Sequence, residues 1–217
     1  MDNGLKKYEL WWTNNLGNET FVHNGQTYNA PSVSKFKSWM GDSFSKDRIC
    51  VRKKFGEFKT FLDAGCGACP EYKGLNDMYK DINYTGMDIT PKLVEYNISQ
   101  NINCVQGSLN NIPFKDNSFD IVHSRHVVEH MNNIENPISE MIRVASKKVF
   151  NVFFIKPTNK SHHIINLDNK ETIGEVYHNK YSKQLIEEQL KENKKVKDFE
   201  WIKIPAPSCE LLLINLI

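Results

Sequence analysis

Residues 60–70 constrain this chain more than any other stretch. Thr60-Phe-Leu-Asp-Ala64 is a five-residue run, short enough for a buried strand, that leads straight into Gly65-Cys-Gly67. Glycines at 65 and 67 permit a tight turn and let a ligand approach the backbone closely. Pro70 then suits the first turn of a helix. The chain must accommodate a strand, a glycine turn and a helix in that order.

The same alternation continues downstream. Further short strand-like runs occupy 84–88, 103–106, 118–123 and 148–155. Thr90 before Pro91 is an N-cap with proline at the first helical position, opening a helix to about Gln100. Ile134, Ile138, Met141, Ile142 and Ala145 share one helical face, in a helix expected to end near Lys148. Ser182 caps another helix, with Leu185, Ile186 and Leu190 on its apolar side. Two runs close the chain, 198–202 and 209–217, joined through Pro205-Ala-Pro207. So short a connection cannot make a parallel crossover, so these two form an antiparallel pair at the sheet edge. The expected fold is α/β: a Rossmann-like open sheet, mostly parallel, with an antiparallel C-terminal edge hairpin and helices on both faces.

Composition narrows the class. With 217 residues, 40% hydrophobic and 25% charged, the chain is neither disordered, collagen-like nor a disulfide miniprotein. No apolar run approaches the ~20 residues needed to cross a bilayer. The start, Met-Asp-Asn-Gly-Leu-Lys-Lys, lacks the apolar stretch of a signal peptide, so a cytoplasmic location without membrane attachment is expected. Five scattered cysteines do not suggest a disulfide framework. Charge is uneven: residues 1–60 hold ten Lys/Arg against six Asp/Glu, and 61–217 hold eighteen against twenty. The basic excess gathers at 46–59, around Arg52, Lys53 and Lys54. It reads first as a solvated face, second as a platform for an anionic substrate or nucleic acid, and the modest total argues against long polyanions.

Residues 1–57 form a mildly basic arm rich in aromatics: Trp11, Trp12, Phe21, Tyr28, Phe36, Trp39 and Phe44. Short helices are expected at 8–12 and 34–39. So many aromatics call for burial, as an ordered arm or lid over the cofactor-binding domain at 58–217.

The acidic residue closing the second strand sharpens the site. Asp88 stands twenty-one residues after Gly67, where a strand-tip carboxylate accepts hydrogen bonds from ribose hydroxyls. The dinucleotide fingerprint would require a third glycine three residues after Gly67; that position is Pro70.

Over roughly 59–155 the chain resembles the class I S-adenosylmethionine-dependent methyltransferases. The resemblance rests on Phe61-Leu-Asp-Ala-Gly-Cys-Gly67, Gly86-Met-Asp88, the stretch from Gly107 to Asp120, Ser124-Arg-His-Val-Val-Glu-His130 and Glu140-Met-Ile-Arg-Val144. Ile112-Pro-Phe114, Ser118-Phe-Asp120 and Glu129-His130 look like the subgroup acting on small molecules. It implies S-adenosylmethionine as cofactor. Asp63, Gly65, Cys66 and Gly67 would hold its methionine end, and Asp88 its ribose. Met87 or Ile89 would flank adenine. Ser108 stands where similar enzymes commonly bond the adenine amino group through an acidic residue, and Leu109 offers its backbone N–H. Ser124 follows on the fourth strand.

Methyl transfer relies on positioning, and an oxygen or nitrogen acceptor needs a base for its proton. The candidates follow the fourth strand: His123, Ser124, Arg125, His126, Glu129 and His130; His126 and His130 are four apart, and His126 ranks first because it is nearer the strand end. Ser124-Arg-His-Val127 lacks the Asn/Asp-Pro-Pro-aromatic run of enzymes resembling the amino-methylating subgroup. Arg125 and Lys156 favour an acidic acceptor. The function expected is methyl transfer to a small-molecule or sugar-like acceptor at oxygen. RNA or protein methylation over the basic 46–59 region, or a non-catalytic binding protein of the same fold, are the alternatives. Cys66 and Cys69 form a C-x-x-C, but no second pair suggests a zinc site, and His162-His163 lacks a third ligand.

Overall fold

The structure, a computed structural model, describes residues 20–23, 26–29, 40–131, 133–170 and 174–217. Trp11, Trp12, Phe36, Trp39 and the helices expected at 8–12 and 34–39 lie outside the described residues. Strands β1 (Thr20–His23) and β2 (Gln26–Asn29) form an antiparallel hairpin. Helix α1 (Lys46–Arg52) precedes the main body.

The body alternates β3 (Thr60–Ala64), α2 (Pro70–Met78), β4 (Asn83–Asp88), α3 (Pro91–Ser99), β5 (Cys104–Gln106), β6 (Phe119–Arg125), α4 (Glu135–Val144) and β7 (Ala145–Phe153). A hairpin of β8 (Leu167–Lys170) and β9 (Gly174–Tyr177) follows, then α5 (Lys183–Glu192), β10 (Val196–Lys203) and β11 (Glu210–Leu216). Seven strands form one sheet in the order β10-β11-β7-β6-β3-β4-β5. Pairs from β5 through β7 are parallel; β11 runs antiparallel to both β7 and β10. The edge hairpin expected from the proline loop is present, with its second strand inserted beside β7.

Period-two alternation builds two cores. Leu62, Ala64, Val122, Val149, Phe153, Leu212 and Ile214 face α4 and α5. Phe61, Ile121, Phe150, Val152, Leu211 and Leu213 face the other layer, with Val51, Leu75 and Val94 from α1, α2 and α3. Helix α4 ends at Val144 rather than near Lys148, because Ala145 turns directly into extended backbone and begins β7. At α5 the Ser182 hydroxyl accepts from the Leu185 amide at 3.3 Å, the expected cap. Among the described residues no helix is long and apolar enough to cross a membrane.

The basic segment is a solvated face only in part: Lys46, Lys53 and Lys59 are exposed, but the arginines are not. Arg48 and Arg52 of α1 are buried, and both bond Glu71 on α2, Arg52 Nε at 2.8 Å. The two guanidiniums also donate to the carbonyls of Met40 and Ser43, clasping 40–43 against α2. The core sequence pattern thus sets the sheet, and a buried ion cluster attaches the preceding segment to it.

Candidate functional site

Strand order reverses between β3 and β6: β4 and β5 lie to one side, β7 and β11 to the other. Open α/β sheets bind ligands at such a reversal, outside the strands' carboxyl ends. Here the loops after β3 and β6 meet. Gly65 has φ +80°, and a Cβ there would lie 2.4 Å from Val127 Cγ2, so only glycine fits.

The glycine loop spends its amides internally. Gly65 and Cys66 donate to the Met87 carbonyl at 2.7 and 2.9 Å, and Cys69 donates to the Cys66 carbonyl at 2.9 Å. Gly67 donates to Asp88 Oδ2 at 2.8 Å, and Ala68 to Met40 Sδ at 3.2 Å. A pyrophosphate would need those N–H groups. With its N–H groups taken, the loop suits a cationic ammonium or sulfonium group better than an anion.

Asp88, buried at the end of β4, accepts Gly67 N–H on one carboxylate oxygen and Thr90 N–H on the other, at 2.8 and 2.9 Å. Each oxygen retains further lone-pair capacity for a ribose hydroxyl. Burial raises its pKa above the usual carboxylate value, and the amides of Thr90 and Gly67 pull the other way. The Asp88 carbonyl in turn accepts from Gly107 N–H at 3.0 Å, bringing the β5 loop alongside. In that loop Ser108 Oγ accepts Asn110 N–H at 3.2 Å, while Leu109 is buried in the α4–α5 core. Met87 is fully buried in the same core, where a Cβ on Gly107 would come within 2.7 Å of its sulfur. Ile89, half-buried, is the residue left at the rim. Ser124 ends the set on β6, wholly buried with no hydrogen-bond partner for its Oγ among the described residues.

Gly65, Gly67, Asp88, Ile89, Ser108 and Ser124 therefore stand together at the carboxyl ends of β3 to β6. Two other sequence candidates point elsewhere. Asp63 faces the α1–α3 layer, where Oδ1 pairs with His123 Nδ1 at 2.9 Å and Oδ2 accepts from Tyr84 Oη at 2.9 Å. The Cys66 thiol turns away to Cys104, Sγ to Sγ 3.7 Å.

Beyond Ser124 lies a cluster of rings. Phe154 has its centroid 5.5 Å from His126 and 5.1 Å from His130, and His178 is 5.3 Å from His130. His126, at φ +59°, has Nε2 3.6 Å from Cys209 Sγ. Burial, with Arg125 nearby, pushes its pKa down to about 3, so it stays neutral and weakly basic. His130 Nδ1 lies 2.8 Å from the Tyr177 carbonyl, which fixes Nδ1–H in the neutral ring and puts the lone pair on Nε2. Arg125 pairs with Asp47, and its Nε and Nη1 are buried with no partner among the described residues.

Glu129, a candidate base in the sequence behind the histidines, is a buried acid. It lies in a 3-10 turn, Val128–His130, and its Oε1 accepts the Phe154 and Ile155 amides. Burial raises its pKa to about 7 despite those amides, and Oε2 has no partner among the described residues. The folded state thus holds a proton that the unfolded chain releases above about pH 4.5, so stability falls as pH rises from there to about 7. Glu129→Gln keeps an acceptor for both amides and removes that slope. Urea unfolding at pH 5 and pH 8 is expected to show the variant gaining about 2–3 kcal/mol on the parent at the higher pH.

Comparison with known proteins places this geometry. Residues 62–153 match a family model described as methyltransferase domain. Ajmaline N-methyltransferase of Rauvolfia serpentina is 33% identical over 98 residues, covering 41% of this chain and 33% of the relative. Norajmaline N-methyltransferase of the same plant is 30% identical over 96 residues, covering 41% and 32%. The chain thus spans about a third of the length of these relatives. A solved S-adenosylmethionine-dependent methyltransferase from Aquifex aeolicus superposes with TM-score 0.61 at 18% identity, over 85% of this chain and 98% of that one. That likeness is one of fold.

Proposed function

We infer that this chain, whose residues 62–153 match a methyltransferase-domain model, is a class I S-adenosylmethionine-dependent methyltransferase that methylates a small molecule at a hydroxyl oxygen. The observation carrying the cofactor half is the loop at 65–69: its amides are consumed within the protein, and Asp88 beside it keeps acceptor capacity for a ribose. S-adenosylmethionine, when bound, supplies an electrophilic methyl on a sulfonium. Asp88 holds the ribose hydroxyls, the donor-poor glycine loop lies at the charged methionine end, Ile89 flanks the adenine, and Ser108 and Leu109 border it. The buried, unpartnered Ser124 Oγ and the donor-poor loop fit that group.

The acceptor half rests on the ring cluster. Phe154, His126, His130 and His178 supply flat apolar walls for a small ring-bearing or sugar-like acceptor. His130 takes the hydroxyl proton at Nε2, because Nδ1 is committed to Tyr177. His126, ranked first on its position, is the weaker base because burial holds it so low. Arg125, with two buried nitrogens lacking acceptors, favours an acceptor carrying an anionic group. Of the arm expected at 1–57, Val51 and Phe55 pack into the core layer beside α2. Nitrogen is the second reading, favoured by the names of the two plant relatives. RNA or protein methylation over 46–59 loses support, since Arg48 and Arg52 are buried against Glu71.

Radiolabelled methyl transfer across fractionated metabolite pools tests the reading, with NMR of the product locating the new methyl. His130→Phe is expected to lower turnover on a hydroxyl acceptor by about 10²–10⁴-fold while leaving cofactor affinity unchanged. Undiminished turnover would remove His130 as the base.

A further inference from the structure

Three thiols converge behind the glycine loop. Cys66 lies in the loop, Cys69 at φ +52° caps α2, and Cys104 opens β5; all three are buried. Their sulfurs lie within 4.8 Å of one another, with Cys66 and Cys104 at 3.7 Å. They meet over Gly86, the β4 partner of Cys104 in the sheet. A Cβ there would lie 2.9, 3.0 and 3.3 Å from the three sulfurs, so glycine leaves the space they fill.

We propose that Cys66, Cys69 and Cys104 bind one zinc ion, which ties the glycine loop and the start of α2 to β5. A zinc–sulfur bond of about 2.3 Å places tetrahedral thiolates about 3.8 Å apart, close to the Cys66–Cys104 separation. Thiolate sets select soft, closed-shell ions. Asn97, fully buried on α3, turns its side-chain amide toward the sulfurs. Its Nδ2 is 3.6 Å from Cys104 Sγ and 3.9 Å from Cys66 Sγ, a donor suited to thiolate, and is anchored 2.7 Å from the Gly67 carbonyl. Three thiolates leave the fourth tetrahedral position to a water carried in with the ion. A groove of about 240 Å³, lined by Met40, Ala68, Cys69, Pro70 and Tyr96, gives the ion a path. Each thiol loses its proton to solvent as the metal binds, with no redox change.

The inference stands independently of the methyl-transfer reading. Its test is the metal content of the full chain, purified under reducing conditions without chelators, together with cadmium titration of the stripped protein. About one zinc per chain and a saturable thiolate-to-cadmium charge-transfer band are expected. Cys104→Ser and Cys66→Ser should lose both, while Cys209→Ser, outside the trio, should retain them. The parent chain decides even if a variant fails to fold. No stoichiometric zinc or cadmium on the reduced parent would overturn the site, as would a Cys66–Cys104 disulfide without metal, or binding undisturbed by Cys104→Ser.

Discussion

Glu71→Ala is expected to lower the unfolding free energy by about 3–5 kcal/mol, the cost of leaving buried charge uncompensated. Glu71 is the shared counter-ion of Arg48 and Arg52, and all three side chains are nearly inaccessible. Burial alone would raise the Glu71 pKa, but Arg48, His123 and Arg52 outweigh it and hold the carboxyl below its ordinary value. Without Glu71 two guanidiniums stay in the α1–α2 interface, and Arg52 Nη1 already lacks a partner among the described residues. A small domain has only ~5–15 kcal/mol in total, so the variant approaches the edge of folding. Urea unfolding should show a lower midpoint. Replacing all three ions with leucine or methionine should restore much of the loss, because well-packed apolar groups avoid the desolvation cost. An unchanged midpoint in Glu71→Ala would mean the cluster is hydrated.

Asp88→Ala is expected to weaken S-adenosylmethionine binding by about 10²–10⁴-fold, the equivalent of two hydrogen bonds to a charged acceptor at about 1.5–3 kcal/mol each. The change also strands the Gly67 and Thr90 amides, so part of the loss is loosening of the glycine loop. Asp88→Asn separates the two causes: it keeps one acceptor oxygen and the side-chain volume, yet removes the charge. Thermal melts should show Asp88→Asn, which strands one amide rather than two, less destabilised without ligand than Asp88→Ala, with a much smaller stabilisation than the parent when ligand is added.

The sheet was legible because its strands are short, apolar and bounded by glycine or proline. Pro205-Ala-Pro207 alone required an antiparallel edge. The β8–β9 hairpin was not, since Leu167-Asp-Asn-Lys170 and Gly174-Glu-Val-Tyr177 lack an alternating apolar signal. Arg48 and Arg52 looked like solvent-facing charge because local sequence carries no sign of a counter-ion nineteen residues beyond Arg52. That Gly65, Gly67 and Asp88 gather at one strand end was legible because turn chemistry and strand-end position are local properties. The thiol trio was not: Cys104 joins Cys66 and Cys69 only through the β4–β5 register. Likewise, the ranking of His126 over His130 followed strand distance, whereas burial and the Tyr177 carbonyl reverse it.

The central claim is that the reversal point between β3 and β6 is an S-adenosylmethionine site built on Asp88. Isothermal titration of the full chain with S-adenosylmethionine measures it directly. Saturable binding of one ligand per chain, reduced at least about 10²-fold in Asp88→Ala, is the expected result. No saturable binding by the parent chain, or equal affinity in the variant, would contradict it.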